Sequence, residues 1–467
     1  MKHKLHQLFF KQIDASIVSL FRIVFGLFMV YQMIYYLKID YAFQFMAGPQ
    51  VLFPYHWLSF LKPLSLTTLK MINIGMLISA ILITLGYFYR IAMLFFFLGF
   101  TYFSFIDKTL YNNHIYLISL IALVMIFINA NKKFSLKSKR RIDTNNSVPA
   151  WNQYLLAFLI SLPYFFGGVA KLSFNWLQTD LPKLLVQQSR SNTLRSVFSD
   201  ETLSILLTYG GLIYDLGIVF LLLYKRTRVL GVVLVVVFNL FNHVLLFDDI
   251  GLFPFLMICS TILFFNSEKV GAFFGFIFMK GDYAEKTEDP TQEVLKSSGN
   301  SPSEVTKLRW MRSEKMTSFV LSFFILFQLV FPLRHYLITE NPEWTGLGIH
   351  FAWHMKMQTR QITESKWIMI DQKTGDKLDI KMETFLSTNQ LIHISEDPYN
   401  YVHLAKHMRQ VAIDKYGDVD PIVNADMKVS FNGLPPQRMF SETLNLCDIE
   451  EKLISTDSWM YPLKQIP

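Results

Sequence analysis

Two short stretches hold the residues best suited to chemistry. The first, PYFFGGVAKLSFNW (Pro163–Trp176), is aromatic and apolar and carries Lys171 just beyond the paired glycines Gly167 and Gly168. Glycines at this spacing let a second helix backbone approach closely, so the lysine is expected to be enclosed by protein. Enclosure disfavours an ammonium ion, by up to ~3–5 pK units at full burial, and a neutral amine can act as a base. The plainer alternative is that Lys171 reaches the lipid headgroups along its own aliphatic stem, as lysines near span ends commonly do. The second stretch, FSFIDKTLYNNHIYLISL, gathers Asp107, Lys108, Asn112, Asn113 and His114 in a turn between two apolar segments. His114 opens a helix, where free N–H groups and the positive dipole end collect, and a neutral imidazole there can hydrogen-bond a ligand oxygen. Asn112 or Asn113 is equally suited to capping that helix, with His114 simply at the interface.

Other polar residues lie inside apolar blocks: Asp215 in GGLIYDLGIVFLL, Arg22, Asn239, Asn242 and His243. Each is costly there unless paired, and such residues more often join helices than carry chemistry. His243 is followed by Asp248 and Asp249, but no second histidine at i+4 and no cysteine pair completes a metal site. Phosphate-binding loops, nucleophile elbows and zinc motifs are absent from the sequence.

The elements that position these residues are read from hydropathy. Hydrophobic residues make up 52% of the 467-residue chain. They fall in blocks, about nine of which approach the ~20 residues needed to cross a bilayer: 17–37, 69–88, 91–106, 115–130, 154–170, 203–223, 229–247, 250–266 and 316–333. The basic start resembles a signal peptide, but the apolar stretch runs too long and no small-residue cleavage site follows, so it is read as a retained first span. The net charge of +8 is unevenly distributed. With the N-terminus inside, Lys2, Lys4, Lys11, Arg90, the run from Lys132 to Arg141, Lys225, Arg226, Arg228 and the stretch Lys269–Lys315 all fall inside. The alternate loops hold only scattered cations. This is the positive-inside pattern. The basic surplus thus encodes membrane orientation, which makes lipid the expected partner and argues against nucleic acid. Cys259 and Cys447 are expected at different levels and provide no disulfide framework. The glycosylation-type triplet at Asn145 falls on the inner side and decides nothing.

Residues 280–315 are rich in Ser, Glu, Lys and Pro and read as an inner flexible linker within a membrane bundle spanning 1–333. Residues 334–467 change composition to that of an outer-side domain. KWIMIDQKTGDKLDIKM predicts two strands joined by a turn, DPYNYVHLAKHMRQVAIDKYG a helix stopped at Gly417, and IVNADMKVSFNG a third strand. The expected fold is therefore an α-helical polytopic membrane bundle with a C-terminal extramembrane α+β domain.

At DKTLYNNHIYL and GGVAKLSFNW the sequence resembles the vitamin K-dependent γ-glutamyl carboxylases and their shorter microbial relatives, the horizontally transferred transmembrane domain proteins. SLFRIVFGLFMV, GYFYRIAMLFF, YDLGIVFLL, IGLFPF, EWTGLGIHFAWHMKM, MKVSFNGLPPQRMF and DSWMYPL resemble their counterparts in order, over roughly residues 15–463. The resemblance implies a membrane enzyme that couples oxidation of vitamin K hydroquinone by O2 to its epoxide with carboxylation of a protein glutamate by CO2. It implies Lys171 as the base that deprotonates the hydroquinone and His114 as the stabiliser of oxyanion forms. It also implies Asn112, Asn113, Gly168 and Trp353 as residues contacting the quinone, with no metal. The cysteines that bridge the first outer loop to the outer domain in the animal enzymes have no match in the loop from Lys38 to Thr68. A long further lumenal region of those enzymes is likewise unmatched. Epoxidation without protein carboxylation is therefore a distinct alternative. A non-enzymatic transporter or quinone-binding protein using Asp215, Arg22 and His243, and an anchored binding module in which the tail from Arg334 acts alone, are two more.

Overall fold

The computed structural model describes residues 2–136, 146–189, 196, 198–246, 250–278, 304–338, 340–453, 455–456 and 459–464. Lys137, Lys139, Arg140, Arg141, Asn145, Asp248, Asp249 and the part of the expected linker up to residue 303 lie outside these residues.

Apolar runs in lipid must satisfy their backbone hydrogen bonds internally, so they fold as helices. After a short helix α1 (Lys2–Phe10) and strand β1 (Gln12–Asp14) come α2 (Ser16–Lys38), α3 (Leu66–Leu85), α4 (Tyr89–Phe105) and α5 (Asn113–Phe127). These four pack one against the next in chain order. Strand β2 (Ser147–Pro149) pairs antiparallel with β1 and leads into α6 (Trp151–Ala170). Two short helices, α7 (Phe174–Gln178) and α8 (Leu181–Gln187), precede α9 (Asp200–Ile205). A π-helical turn (Leu206–Gly210) joins α9 to α10 (Gly211–Leu223), which packs on α6. The bundle continues with α11 (Arg228–Phe241), α12 (Phe253–Ser260), α13 (Ser267–Phe278) and α14 (Glu304–Val330). The last of these begins within the stretch read as linker, so residues 304–315 are helical and continuous with the final span.

Among the described residues, five helical segments are long and apolar enough to cross a membrane: Ser16–Lys38, Leu66–Leu85, Trp151–Ala170, Asp200–Leu223 and Glu314–Leu337. A sixth is added if Phe253–Phe264 and Ser267–Phe274, which meet at 110°, act as one broken span. The remaining expected blocks form shorter apolar helices, Tyr89–Phe105, Asn113–Phe127 and Arg228–Val244. At one end of the bundle Asp14 pairs with Lys133 and its carbonyl accepts from the Ser267 hydroxyl. There too the fully buried Arg22 donates to the carbonyls of Thr84, Ala130 and Phe134, tying three turns together.

The other end carries the C-terminal region, which begins after the 3-10 turn Phe331–Leu337 and the single helical turn α15 (Pro342–Thr345). A four-stranded antiparallel sheet has the order β4-β3-β5-β6, from β3 (Arg360–Asp371), β4 (Lys377–Ile380), β5 (Pro421–Phe431) and β6 (Gln437–Arg438). Alternate residues of β5 are buried, as a half-covered strand requires. Helix α16 (Thr388–His393) leads to α17 (Tyr399–Tyr416), which ends at Gly417 with φ +74° and packs on β5. The apolar core between sheet and helix contains Trp367, Leu404, Met408, Val423 and Met427, and two residues of the loop after α2, Val51 and Phe53.

Candidate functional site

Helix α6 ends in a setting that encloses a cation. Lys171 occupies its C-cap, where unpaired carbonyls and the negative dipole end favour positive charge. A β-carbon on Gly168 would lie 2.9 Å from the Leu216 backbone nitrogen and 2.8 Å from its side chain, so α10 rests directly on α6. One on Gly167 would lie 3.5 Å from Asp215 Oδ2. This approach brings the Lys171 ammonium against the Asp215 carboxylate, and the two residues are 7% and 1% exposed. The Trp176 ring centroid is 5.3 Å from Lys171 Nζ. Trp176 is itself fixed by donating from Nε1 to the Thr208 carbonyl at 3.0 Å, inside the π-helical turn that precedes Gly211. π-Turns of this kind occur often at functional sites.

The helix contact makes a direct expectation. Gly168→Ala pushes a methyl into backbone and lowers stability by ~1–3 kcal/mol, the range for overpacking. Gly217→Ala, on the facing helix but with open space at its β-carbon, is neutral or gains up to ~1 kcal/mol from helix propensity. Thermal unfolding of the two variants in detergent checks the order.

Lys171 and Asp215 line a cavity of about 130 Å³ together with Tyr164, Trp176, Asn239 and Asn242. Beside it lies a second cavity of about 230 Å³ bordered by Asn112, Asn113, His114, His350 and His354. Ile250, Phe253, Met355 and Lys356 line both. A third space of about 510 Å³, against Gln32, Tyr35, His114 and His243, again meets Ile250 and Phe253. The first two are each small beside the ~300–1,000 Å³ of typical ligand sites and reach that range together. Phe253, whose ring is 5.4 Å from that of His114, stands at the junction of all three. Lys171 and His114 therefore border neighbouring cavities with a common wall.

The other candidate residues divide in position. Asn112 caps α5, accepting from the His114 N–H at 3.3 Å. Asn113 accepts from the Tyr111 hydroxyl at 2.9 Å and donates to the His354 carbonyl at 3.0 Å, joining the helix start to the segment after α15. Gly168 faces Leu216 and shapes the site by bringing the helices together. Trp353 is fully buried with its ring 4.9 Å from Tyr116, and lines none of these three cavities. Asn239 donates to the Tyr164 hydroxyl at 3.2 Å, while His243 borders the largest space. Arg22 sits at the far end, away from the cavities.

Four wall residues, Ile250, Phe253, Met355 and Lys356, were not among the sequence candidates. Their signal lay in IGLFPF and in the end of EWTGLGIHFAWHMKM. Beyond α15 the latter segment, residues 346–357, has no helix or strand, and three of its non-glycine residues are left-handed: Phe351 (φ +65°), Trp353 (φ +62°) and Lys356 (φ +53°). Each such residue costs on the order of 1–3 kcal/mol, and such strain clusters at ligand sites. Burial holds the His350 imidazole down at about 4 and that of His354 at about 3, so both are neutral hydrogen-bonding groups at neutral pH. The Tyr55 hydroxyl is 3.2 Å from His350 Nδ1.

The turn before His114 is clamped from outside the bundle. Asp107 accepts from Thr109 and from Gln390 Nε2 at 3.0 Å. Lys108, 2% exposed, reaches Asp397 at 3.2 Å and Glu451 at 2.8 Å. Loop and C-terminal region thus hold one another.

Comparison with known proteins adds two matches. A family model described as the HTTM domain covers residues 10–268, more than half of the chain, and one described as the vitamin K-dependent gamma-carboxylase lumenal domain covers residues 313–466. No solved structure matches the chain.

Proposed function

Because the chain belongs to the HTTM-domain family, as a multi-pass membrane member whose C-terminal part matches the gamma-carboxylase lumenal domain, we propose that it catalyses vitamin K-dependent γ-carboxylation of protein glutamate. In this reading Lys171 is the base toward the hydroquinone. The single observation that carries it is the burial of Lys171 at a largely apolar cavity that shares a wall with the cavity of His114.

The walls suit a flat apolar ligand with two hydroxyls. Phe253, Pro254, Met257 and Met355 offer apolar faces, while Lys171, Asp215, Asn239 and Asn242 offer polar groups on one side. Reduced vitamin K, when bound, supplies the reducing equivalents that O2 consumes, and CO2 supplies the new carboxyl carbon. The protein's part is to receive a proton at Lys171 Nζ and to donate hydrogen bonds toward developing negative charge from His114 and Asn113. It also keeps water from strongly basic species. The neutral His350 and His354 on the wall of the adjoining cavity suit hydrogen bonding to a glutamate side chain. We further propose that the N-terminus is cytoplasmic and that residues 334–467 form a domain on the periplasmic or lumenal side, on the strength of the charge distribution.

Purified protein in lipid nanodiscs, given phylloquinone hydroquinone, O2, labelled bicarbonate and a glutamate peptide, is expected to form epoxide and to fix label into the peptide. Epoxide without label selects the narrower quinol epoxidase, for which the unmatched cysteines of the first outer loop give a specific reason. Neither product rejects the proposal.

A further inference from the structure

The contact between Lys171 and Asp215 creates a difficulty for a lysine acting alone. A carboxylate touching an ammonium in a desolvated site stabilises the charged form, and an ammonium accepts no proton. A lone neutral amine faces a different cost, since taking a proton from a hydroxyl creates two charges where there were none, in surroundings that screen them poorly. Resting on the reading above, we propose that the base is the Lys171–Asp215 pair, with Asp215 as the final proton acceptor and Lys171 as the conduit.

The step balances without electron transfer. An N–H bond of Lys171 breaks as an O–H bond forms at Asp215 Oδ2, and on the lone pair so freed a new N–H bond forms at Lys171 Nζ as an O–H bond of the bound quinol breaks. Lys171 begins and ends the step as an ammonium and exchanges one anionic neighbour for another. No new charge separation is created, so an enclosed site can perform the step cheaply.

The geometry supports this assignment independently of any titration. The pair is buried, joins two helices that pack backbone to backbone at Gly168, and lines the cavity itself. The other titratable or charged groups facing it are Tyr164 from α6, Tyr214 from α10 and Lys356 from the irregular segment. Asp215 is a positioning and proton-holding residue that acts through Lys171.

Two readouts test the proposal on the full chain in nanodiscs. Infrared difference spectra recorded without oxygen, on adding phylloquinone hydroquinone, are expected to gain a protonated-carboxyl band that Asp215→Asn and Lys171→Met both lack. Absence of that band in the unaltered protein overturns the proposal. Epoxide formation followed from neutral to alkaline pH is expected to fall ~10²-fold or more in Asp215→Asn, at the lower end of the range for a lost general base, without recovering as pH rises. Asp215→Glu restores both band and part of the rate. Wild-type turnover by Asp215→Asn, or recovery at high pH, reduces Asp215 to a counter-ion and overturns the inference. Should Asp215→Asn not fold, the band in the unaltered protein and in Asp215→Glu decides. A band without epoxide rejects the proposed reaction and leaves the proton transfer standing, whereas epoxide without a band does the reverse.

Discussion

Lys171→Met lowers epoxide formation by ~10²–10⁴-fold, the usual cost of removing a general base. Methionine keeps much of the lysine's stem volume and removes only the nitrogen chemistry, so the cavity stays filled and the loss reads on proton transfer. The single variant also strands Asp215, 1% exposed, without its partner. An orphaned buried charge of this kind costs on the order of 3–5 kcal/mol unless it takes up a proton. Lys171→Met/Asp215→Asn relieves that cost, and its melting temperature is expected to lie above that of the single variant. The double variant stays as inactive as the single one, which separates chemistry from folding. Epoxide yield from quinol in membranes, alongside thermal unfolding, checks both parts.

Lys108→Met carries the second large effect, and it concerns assembly. Its ammonium serves two carboxylates, Asp397 and Glu451, that are about 15% exposed. Removing it leaves Asp397 without a cation and Glu451 with His403 as its remaining close partner, at a cost of up to roughly 3–5 kcal/mol. Burial pushes the Glu451 carboxyl upward, but the hydrogen bond from His403 and the charge and hydrogen bond of Lys108 outweigh it and hold the group at about 2, against 4.5 when free. The folded value is depressed, so this stabilisation is fully present above about pH 4.5 and is lost as pH falls toward 2. In Lys108→Met the acid sensitivity shrinks along with the stability. Proteolysis of residues 340–464 against pH, in wild type and variant, gives the measurement. Because Lys108 lies six residues before His114, a drop in epoxide formation accompanies the release.

What could be read beforehand follows from sequence distance. Nine hydropathy blocks marked nine helical segments, since a long apolar run in lipid has few alternatives to helix. Their lengths were less legible. The eighth block is broken near its end, where Phe265 and Asn266 separate α12 and its 3-10 turn from α13. Within the π-turn at Leu206–Gly210 the Thr208 carbonyl accepts from Trp176, a contact between residues 32 apart that no local pattern announces. The two chemical motifs stood out because lysine and histidine are conspicuous among apolar residues. The partner of Lys171 did not, because Asp215 lies 44 residues away on another helix and only packing decides that the two meet. Lys108 was read merely as part of a polar turn, and its carboxylates are 289 and 343 residues distant.

Val51 and Phe53 bear on how this molecule is made. Both insert into the hydrophobic centre of a sheet whose strands are synthesised some 300 residues later, so the first extramembrane loop must wait, unpartnered, until translation is nearly complete. The late-arriving sheet closes around a plug already anchored in lipid. Expressed by itself it would be left with an oily hollow, and its folding is expected to depend on prior insertion of the first two spans.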